Sequence, residues 1–418
     1  MSLSGIPDNG DAPPKRSSYQ NLISALRYAD LRTLIISTLA NQFGQGTSHV
    51  IIGWIVLDMT GSVALLGLAF AVRSAPNLVV GLTCGPITDR YDRRMLMKIA
   101  VLGLMLSSLA LSFLVFTDLI RIWSLLGGVF SLGAFQAMYM TARQAYVYDV
   151  VGASRALSGL ALIGLAQRIG QLFGSLLAGY TIVFIGGSGP FLAMGIGYLI
   201  GLSCIFLLVH VGESAPLREE TILENLINYF KALKSNRLLL SLMISTAAAE
   251  ILGFSHMVIL PILALDVLGV GAEGLGLLNA SRFVGASIGI AALAFAGNMK
   301  RPGMLLLSTL FFFGISQILL GYAETFWLAF ALVALVNIMA TVSDVLHQTL
   351  LQLSVPNEQR GRAMGSWVIG IGTAPIGQLE MGTLADSTNS KTALLINGAA
   401  LAALALVMTI LLPKLRKL

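Results

Sequence analysis

Twelve stretches of this chain are nearly free of charge and long enough to set the medium in which it folds, because roughly 20 apolar residues in a helix span the hydrocarbon core of a bilayer. They lie at 33–57, 63–84, 95–117, 122–147, 156–183 and 188–210, and then at 238–264, 274–298, 303–322, 326–351, 363–385 and 392–413. The 418 residues are 56% hydrophobic and 11% charged, a balance that excludes an ordinary water-soluble domain. The expected fold class is an all-α polytopic membrane protein with twelve transmembrane helices. An even number of crossings puts both termini on one side.

Lysine and arginine indicate which side, since short basic loops resist translocation. Of the 26 Lys and Arg, Arg121 and Lys391 fall on one side, Arg73, Arg143, Arg168 and Arg282 lie inside spans, and the rest crowd the other side. That basic side, with both termini, is expected to be cytoplasmic, while Asp58, Asp118, Asp266, Glu273, Glu324 and Asp386 face out. The formal net charge of +6 then reports topology and contact with anionic lipid, and gives no support to nucleic-acid binding.

Composition divides the chain. Residues 1–32 form a tail whose first 18 residues, rich in Gly, Pro, Ser and Asp, are expected to be disordered; Leu22, Ile23 and Leu26 then share one face of a short helix suited to the inner membrane surface. No small-residue cleavage site follows a short apolar core, so the first span is expected to serve as the targeting signal. Residues 33–210 make a first six-helix bundle, 211–237 a cytoplasmic linker with an amphipathic helix carrying Leu223, Leu226, Ile227, Phe230 and Leu233, and 238–418 a second bundle with a short basic tail. The halves read as copies. Asp58-x-x-Gly61 leads through Leu66-Gly67-Leu68 to Arg73, as Asp266-x-x-Gly269 leads through Leu275-Gly276-Leu277 to Arg282. Cys84 and Cys204 are lone thiols in spans, without the spacing of a disulfide framework or metal site.

A charge inside the membrane costs at least about 2.5 kcal/mol unless it faces protein or water, so the ionisable residues there are the informative ones. They are the four arginines with Glu250, Asp344 and Glu380. Polar neighbours recur at helical spacing: Ser37, Asn41, Gln45 and His49 in the first span, Gly164, Arg168, Gln171 and Ser175 in the fifth, and Asn337, Thr341, Asp344 and Gln348 in the tenth. Such stripes line a water-filled path or a helix interface.

Between the second and third spans stands Gly85-Pro-Ile-Thr-Asp89-Arg90-Tyr-Asp-Arg93-Arg94, read as a tight charged hairpin. It resembles the signature loop of the major facilitator superfamily of solute transporters, with Asp92 where that pattern ends in glycine. Three further phrases resemble the subgroup that includes the enterobactin exporter and the macrolide efflux proteins. These are Leu57-Asp58-Met-Thr-Gly61-Ser62, Ala142-Arg143-Gln144-Ala145 before Asp149, and Val355-Pro356-Asn-Glu358-Gln-Arg360-Gly361-Arg362-Ala-Met-Gly365.

The resemblance implies a fold of two pseudo-symmetric six-helix bundles working by alternating access. The first, fourth, seventh and tenth helices would line a cavity, the second would face the eleventh and the fifth the eighth. Gly85, Asp89, Arg90, Arg93, Arg94 and Asp149 would then form a cytoplasmic latch, in which Asp89 can anchor an arginine and meet the positive end of a neighbouring helix. Arg73 and Glu380 would pair as an outer gate, and Glu250 and Asp344 would exchange protons as access alternates. Asn41, Gln45, His49, Arg168, Gln171, Arg282, Asn337 and Gln348 would line the solute path. Gly170-Gln171-Leu-Phe-Gly174-Ser175 stands where many drug/proton antiporters carry a Gly-Pro pair, and the first span lacks the acid of many lipophilic-cation exporters. Four intramembrane arginines against three carboxylates leave a cavity that is neutral to slightly positive, so an anionic or zwitterionic solute is at least as fitting as a cation.

The chain has no Gly-x-Ser-x-Gly elbow, Walker loop, His-Glu-x-x-His helix or Cys/His metal spacing, so no enzyme, cofactor or ATP-driven pump is indicated. The expectation is a monomeric secondary carrier in the bacterial cytoplasmic membrane, exporting a drug-like compound or siderophore against proton uptake. A lipid or lysolipid flippase is the alternative within transport, and a membrane sensor that has lost turnover the alternative outside it.

Overall fold

The computed structural model describes residues 26–152, 155–210, 236–297, 301–355 and 367–417, apart from the side chains of 79–90, 157, 414 and 417. Six helices lead the chain: α1 (Ala29–Thr60), α2 (Val63–Arg90), α3 (Arg93–Phe116), α4 (Ile122–Val151), α5 (Ala156–Ile185) and α6 (Ser188–Phe206). Six follow: α7 (Arg237–Val267), α8 (Gly271–Ala296), α9 (Pro302–Leu320), α10 (Phe326–Leu353), α11 (Ala374–Ser387) and α12 (Ser390–Leu411). Among the described residues nine of these are long and apolar enough to cross a membrane by length and composition. The other three are α1, where Asn41, Gln42, Gln45 and His49 dilute the apolar run, α2, whose apolar part is Val63–Leu78, and α11, which is 14 residues long. The expected amphipathic helices before residue 26 and within 211–235 lie outside the described residues.

Solvent explains which side chains are buried. Large apolar groups such as Phe113, Phe184 and Trp327 are exposed on the rim, whereas Asn41, Gln42, Gln136, Arg143 and Gln317 are buried. Lipid tails are as apolar as leucine, so helices gain little by hiding apolar surface from them and associate instead through close packing and polar contacts.

Glycine sets that packing. A Cβ on Gly174 would strike the carbonyl of Phe43, and one on Gly46 the carbonyl of Gln171, so α1 and α5 meet backbone to backbone. Thr47 Oγ1 seals this contact by donating to the Gly174 carbonyl at 3.0 Å. Gly133 brings α4 onto the Arg73 carbonyl of α2; in the second half Gly285 brings α8 onto Ala334 of α10, Gly377 brings α11 onto Ile251 of α7, and Gly314 meets Gly398 between α9 and α12. Equivalent helices therefore touch in the two halves, as the repeated sequence implies.

The segment read as a hairpin is mostly helix. α2 runs on to Arg90 and α3 begins at Arg93, leaving Tyr91 and Asp92 as the turn. Asp92, the residue that departs from the family's glycine, caps α3 by accepting from Arg94 N at 2.9 Å. The seventh span, by contrast, is broken. Its helix opens into wider turns at Ala249–Gly253 and Leu263–Val267 and tightens at Phe254–Val258, around Gly253 and the proline at 261.

Gly174→Leu is expected to lower stability by about 1–3 kcal/mol by driving α1 from α5. Gly127→Ala, where an added Cβ meets nothing within 4 Å, should be neutral or mildly stabilising. Thermal unfolding of the purified variants in detergent compares the two, and equal melting would contradict the packing account.

Candidate functional site

Among the described residues two helix pairs make the most extensive contact between the halves, and both lie towards the end of the bundle remote from the start of α1, here called the distal end. In one, a Cβ on Gly382 of α11 would lie 2.7 Å from Gly67 Cα of α2, and Ser74 Oγ bonds Gln378 Oε1. In the other, Gly179 of α5 meets Ala272 and Glu273 of α8, and Gly276 of α8 meets the Ser175 carbonyl. The second helix thus faces the eleventh and the fifth the eighth.

Arginines stand beside these seams. Arg73 donates to Gln45 Oε1 of α1 at 2.8 Å; Arg282 donates from Nη1 to Asn279 Oδ1 at 3.0 Å, and its Nη2 touches Met257 Sδ of α7. Arg168 and Arg73 are within electrostatic reach of Arg282, and His49 of α1 feels both Arg73 and Arg282. Arg282 of α8 therefore lies within reach of both the α2 and the α5 guanidinium between the halves. Arg73 and Arg282 are met there by neutral partners.

The carboxylates gather on the other flank. Asp344 of α10 accepts from Trp367 Nε1 at 2.8 Å and from Gln348 Nε2 at 3.1 Å, and lies within electrostatic reach of Arg168 and of Glu250. Glu250 occupies the first wide turn of the broken α7. Asn337 meets His256 Nε2 at 3.3 Å, and Gln171 donates to Gln42 at 2.9 Å. Asn41 is fully buried on α1. His347 is held by Ser245 and Ser343 inside the second half.

The expected Arg73–Glu380 pair is not formed. Gln378, Gly382 and Asp386 recur every four residues on the face of α11 that meets α2; Glu380 lies two residues from that stripe and so points the other way, accepting from Asn397 Nδ2 of α12 at 2.8 Å. Arg73 likewise turns from α11 towards α1.

Of the expected latch, Gly85, Asp89 and Arg90 lie outside the residues whose side chains are described. Arg93 pairs with Asp149, joining α3 to α4 within one half. Arg94 donates to the Leu208 carbonyl at 2.6 Å, where a cation suits the end of α6. Arg143 is buried, donates to Gln167 Oε1 at 3.0 Å and lies over the Tyr139 ring. Gln42, Met257 and Trp367 are the site residues that sequence reasoning missed. Gln42 sits one residue off the polar stripe of Ser37, Asn41, Gln45 and His49, and for Met257 no polar signal existed to find.

Comparison with known proteins agrees with this architecture. A family model described as transmembrane secretion effector matches residues 21–418. The chain is 25% identical to the staphyloferrin A transporter of Staphylococcus aureus, covering 83% of this chain and 86% of that one. It is 27% identical to the enterobactin exporter EntS of Shigella flexneri, over 93% of this chain and 94% of the other. Among solved structures it is similar to the nucleoside transporter NupG, with a TM-score of 0.76 at 12% identity over 92% of this chain and 100% of that one. A bacterial homologue of the human lysosomal transporter Spinster, in an inward-facing and unoccupied conformation, gives 0.69 at 12% identity over 96% and 98%.

The Arg93–Asp149 pair is largely buried, with side chains 12% and 8% exposed. Removing one partner by Arg93→Gln or Asp149→Asn should therefore lower stability by about 3 kcal/mol, and Arg93→Met with Asp149→Leu by less than either, because neither charge of the pair is then left buried without the other. Thermal unfolding of the three variants measures this; a double variant as damaged as the sum of the singles would refute a direct pair.

Proposed function

The chain belongs to the transmembrane secretion effector family of the major facilitators, and from that premise we propose that this transporter exports an anionic, siderophore-like solute in exchange for protons. The observation that carries the reading is the placing of Arg73 and Arg168 within reach of Arg282 between the two halves, with His49 within reach of Arg73 and Arg282. An uncompensated guanidinium in a low-dielectric site is expensive, and an anionic solute supplies the missing charge. The two relatives named for siderophores support that solute class over a lipophilic cation.

The two six-helix halves rock about this cluster, each held rigid by its glycine contacts. With the distal seams shut, the solute reaches the arginines from the side of the termini, which the lysine and arginine distribution makes cytoplasmic. The membrane is the bacterial cytoplasmic membrane, and one chain forms the whole path. Glu250 and Asp344 serve coupling: a proton taken up on their flank removes negative charge beside Arg168 and alters how strongly that arginine holds the solute. Trp367, by donating to Asp344, ties that carboxylate to the start of the eleventh span.

Arg168→Gln and Arg282→Gln should each weaken binding of a siderophore carboxylate or catecholate by about tenfold or more, the loss expected for one hydrogen bond to a charged group. Isothermal titration of the purified variants reads this; unchanged affinity in both would remove the anion site. Glu250→Gln and Asp344→Asn should preserve solute exchange across liposomes without a gradient and abolish uphill movement driven by a pH gradient. Should both concentrate solute as the parent does, coupling resides elsewhere.

A further inference from the structure

Every helix begins with N–H groups that have no partner within the helix. At α2 the first three are accounted for one by one. Leu65 N donates to Ser62 Oγ at 3.3 Å, while Val63 N and Ala64 N donate to Oδ1 of Asp386 at 2.9 and 3.4 Å. Ser62 is local, but Asp386 belongs to α11 in the other half of the molecule. The second helix is capped by its partner across the seam.

Charge makes the arrangement directional. Asp386 is the penultimate residue of α11, in the last turn, where unpaired carbonyls concentrate negative potential and a carboxylate is disfavoured. The same carboxylate is favoured at the start of α2, where N–H groups point at it. Its placement is therefore unfavourable for its own helix and favourable only when the halves touch. Just inside this contact Gly67 and Gly382 meet backbone to backbone, which is what brings α2 close enough for a short side chain to reach.

We propose that Asp386 is a releasable cap that holds the distal end shut and weights the equilibrium between the closed and open distal states. Opening separates α2 from α11 and leaves the Val63 and Ala64 N–H groups to water. Asp386 is exposed, so water reaches both partners as they part, which suits a contact that must break in every cycle. The distal gate is then a side chain on a helix end rather than an intramembrane ion pair. It operates whichever solute is carried.

The test reads conformation, so it stands apart from the choice of solute. In a Cys84→Ala, Cys204→Ala background, spin labels at Leu119→Cys and Glu324→Cys, exposed positions in distal loops of opposite halves, report the gap by double electron–electron resonance in lipid nanodiscs. Asp386→Ala removes the acceptor. Val63→Pro removes the nearer donor at a first-turn position that tolerates proline. Each should raise the ratio of long to short distances by about tenfold, the two together no more than the larger alone, and Asp386→Asn, which keeps an acceptor oxygen, less than Asp386→Ala. Unchanged distances in both single variants, or effects that combine in full, overturn the proposal. If Asp386→Ala does not fold, Val63→Pro compared with the parent decides it alone.

Discussion

In a bilayer two helices gain almost nothing by hiding apolar surface from lipid, so the approach of one backbone to another is the interaction on which this structure depends. Glycine makes the approach possible. Gly46 and Gly174 set α1 on α5, Gly133 sets α4 on α2, Gly285 sets α8 on α10, and Gly314 meets Gly398 between α9 and α12. These contacts tie each half into one body. Gly67 with Gly382, and Gly179 and Gly276 between α5 and α8, then bring the bodies together along two seams.

Once the halves are rigid, what lies between them acquires meaning. At Gly67, Gly382, Gly179 and Gly276 the seams bring backbone against backbone. Beside them sit Arg73, Arg168 and Arg282, with Asp344 and Glu250 on one flank. Rearrangement of the halves changes the water and countercharge available to this cluster, and the proposed coupling of solute to protons rests on that change. The break in α7 adds to this by presenting Glu250, His256 and Met257 from turns that a regular helix would not offer.

Much of this was legible in the sequence because its signals are local. Span lengths follow from apolar runs, the repeat from paired phrases around Arg73 and Arg282, and the facing of α2 with α11 from the family resemblance. Side-chain partnership was less legible, since it depends on rotation about each helix axis. Arg73 and Glu380 have matching charge and sit on helices that touch, yet Glu380 lies on the far face of α11 and binds Asn397. Arg94 looked like part of a charged latch, and its use at the Leu208 carbonyl depends on where α6 happens to end. Asp386 read as one more outward-facing acid because nothing local tells that α2 begins beside it.

The claim most exposed to experiment is that the two halves must separate along the α2–α11 seam for solute to pass. Ser74 and Gln378 touch across that seam, so Ser74→Cys with Gln378→Cys, in a background free of other thiols, can be joined by oxidation and released by reduction. Siderophore flux through proteoliposomes bearing this variant is the direct measurement. The account predicts that flux stops when the link forms and returns when it is reduced; undiminished flux through fully linked protein would contradict it.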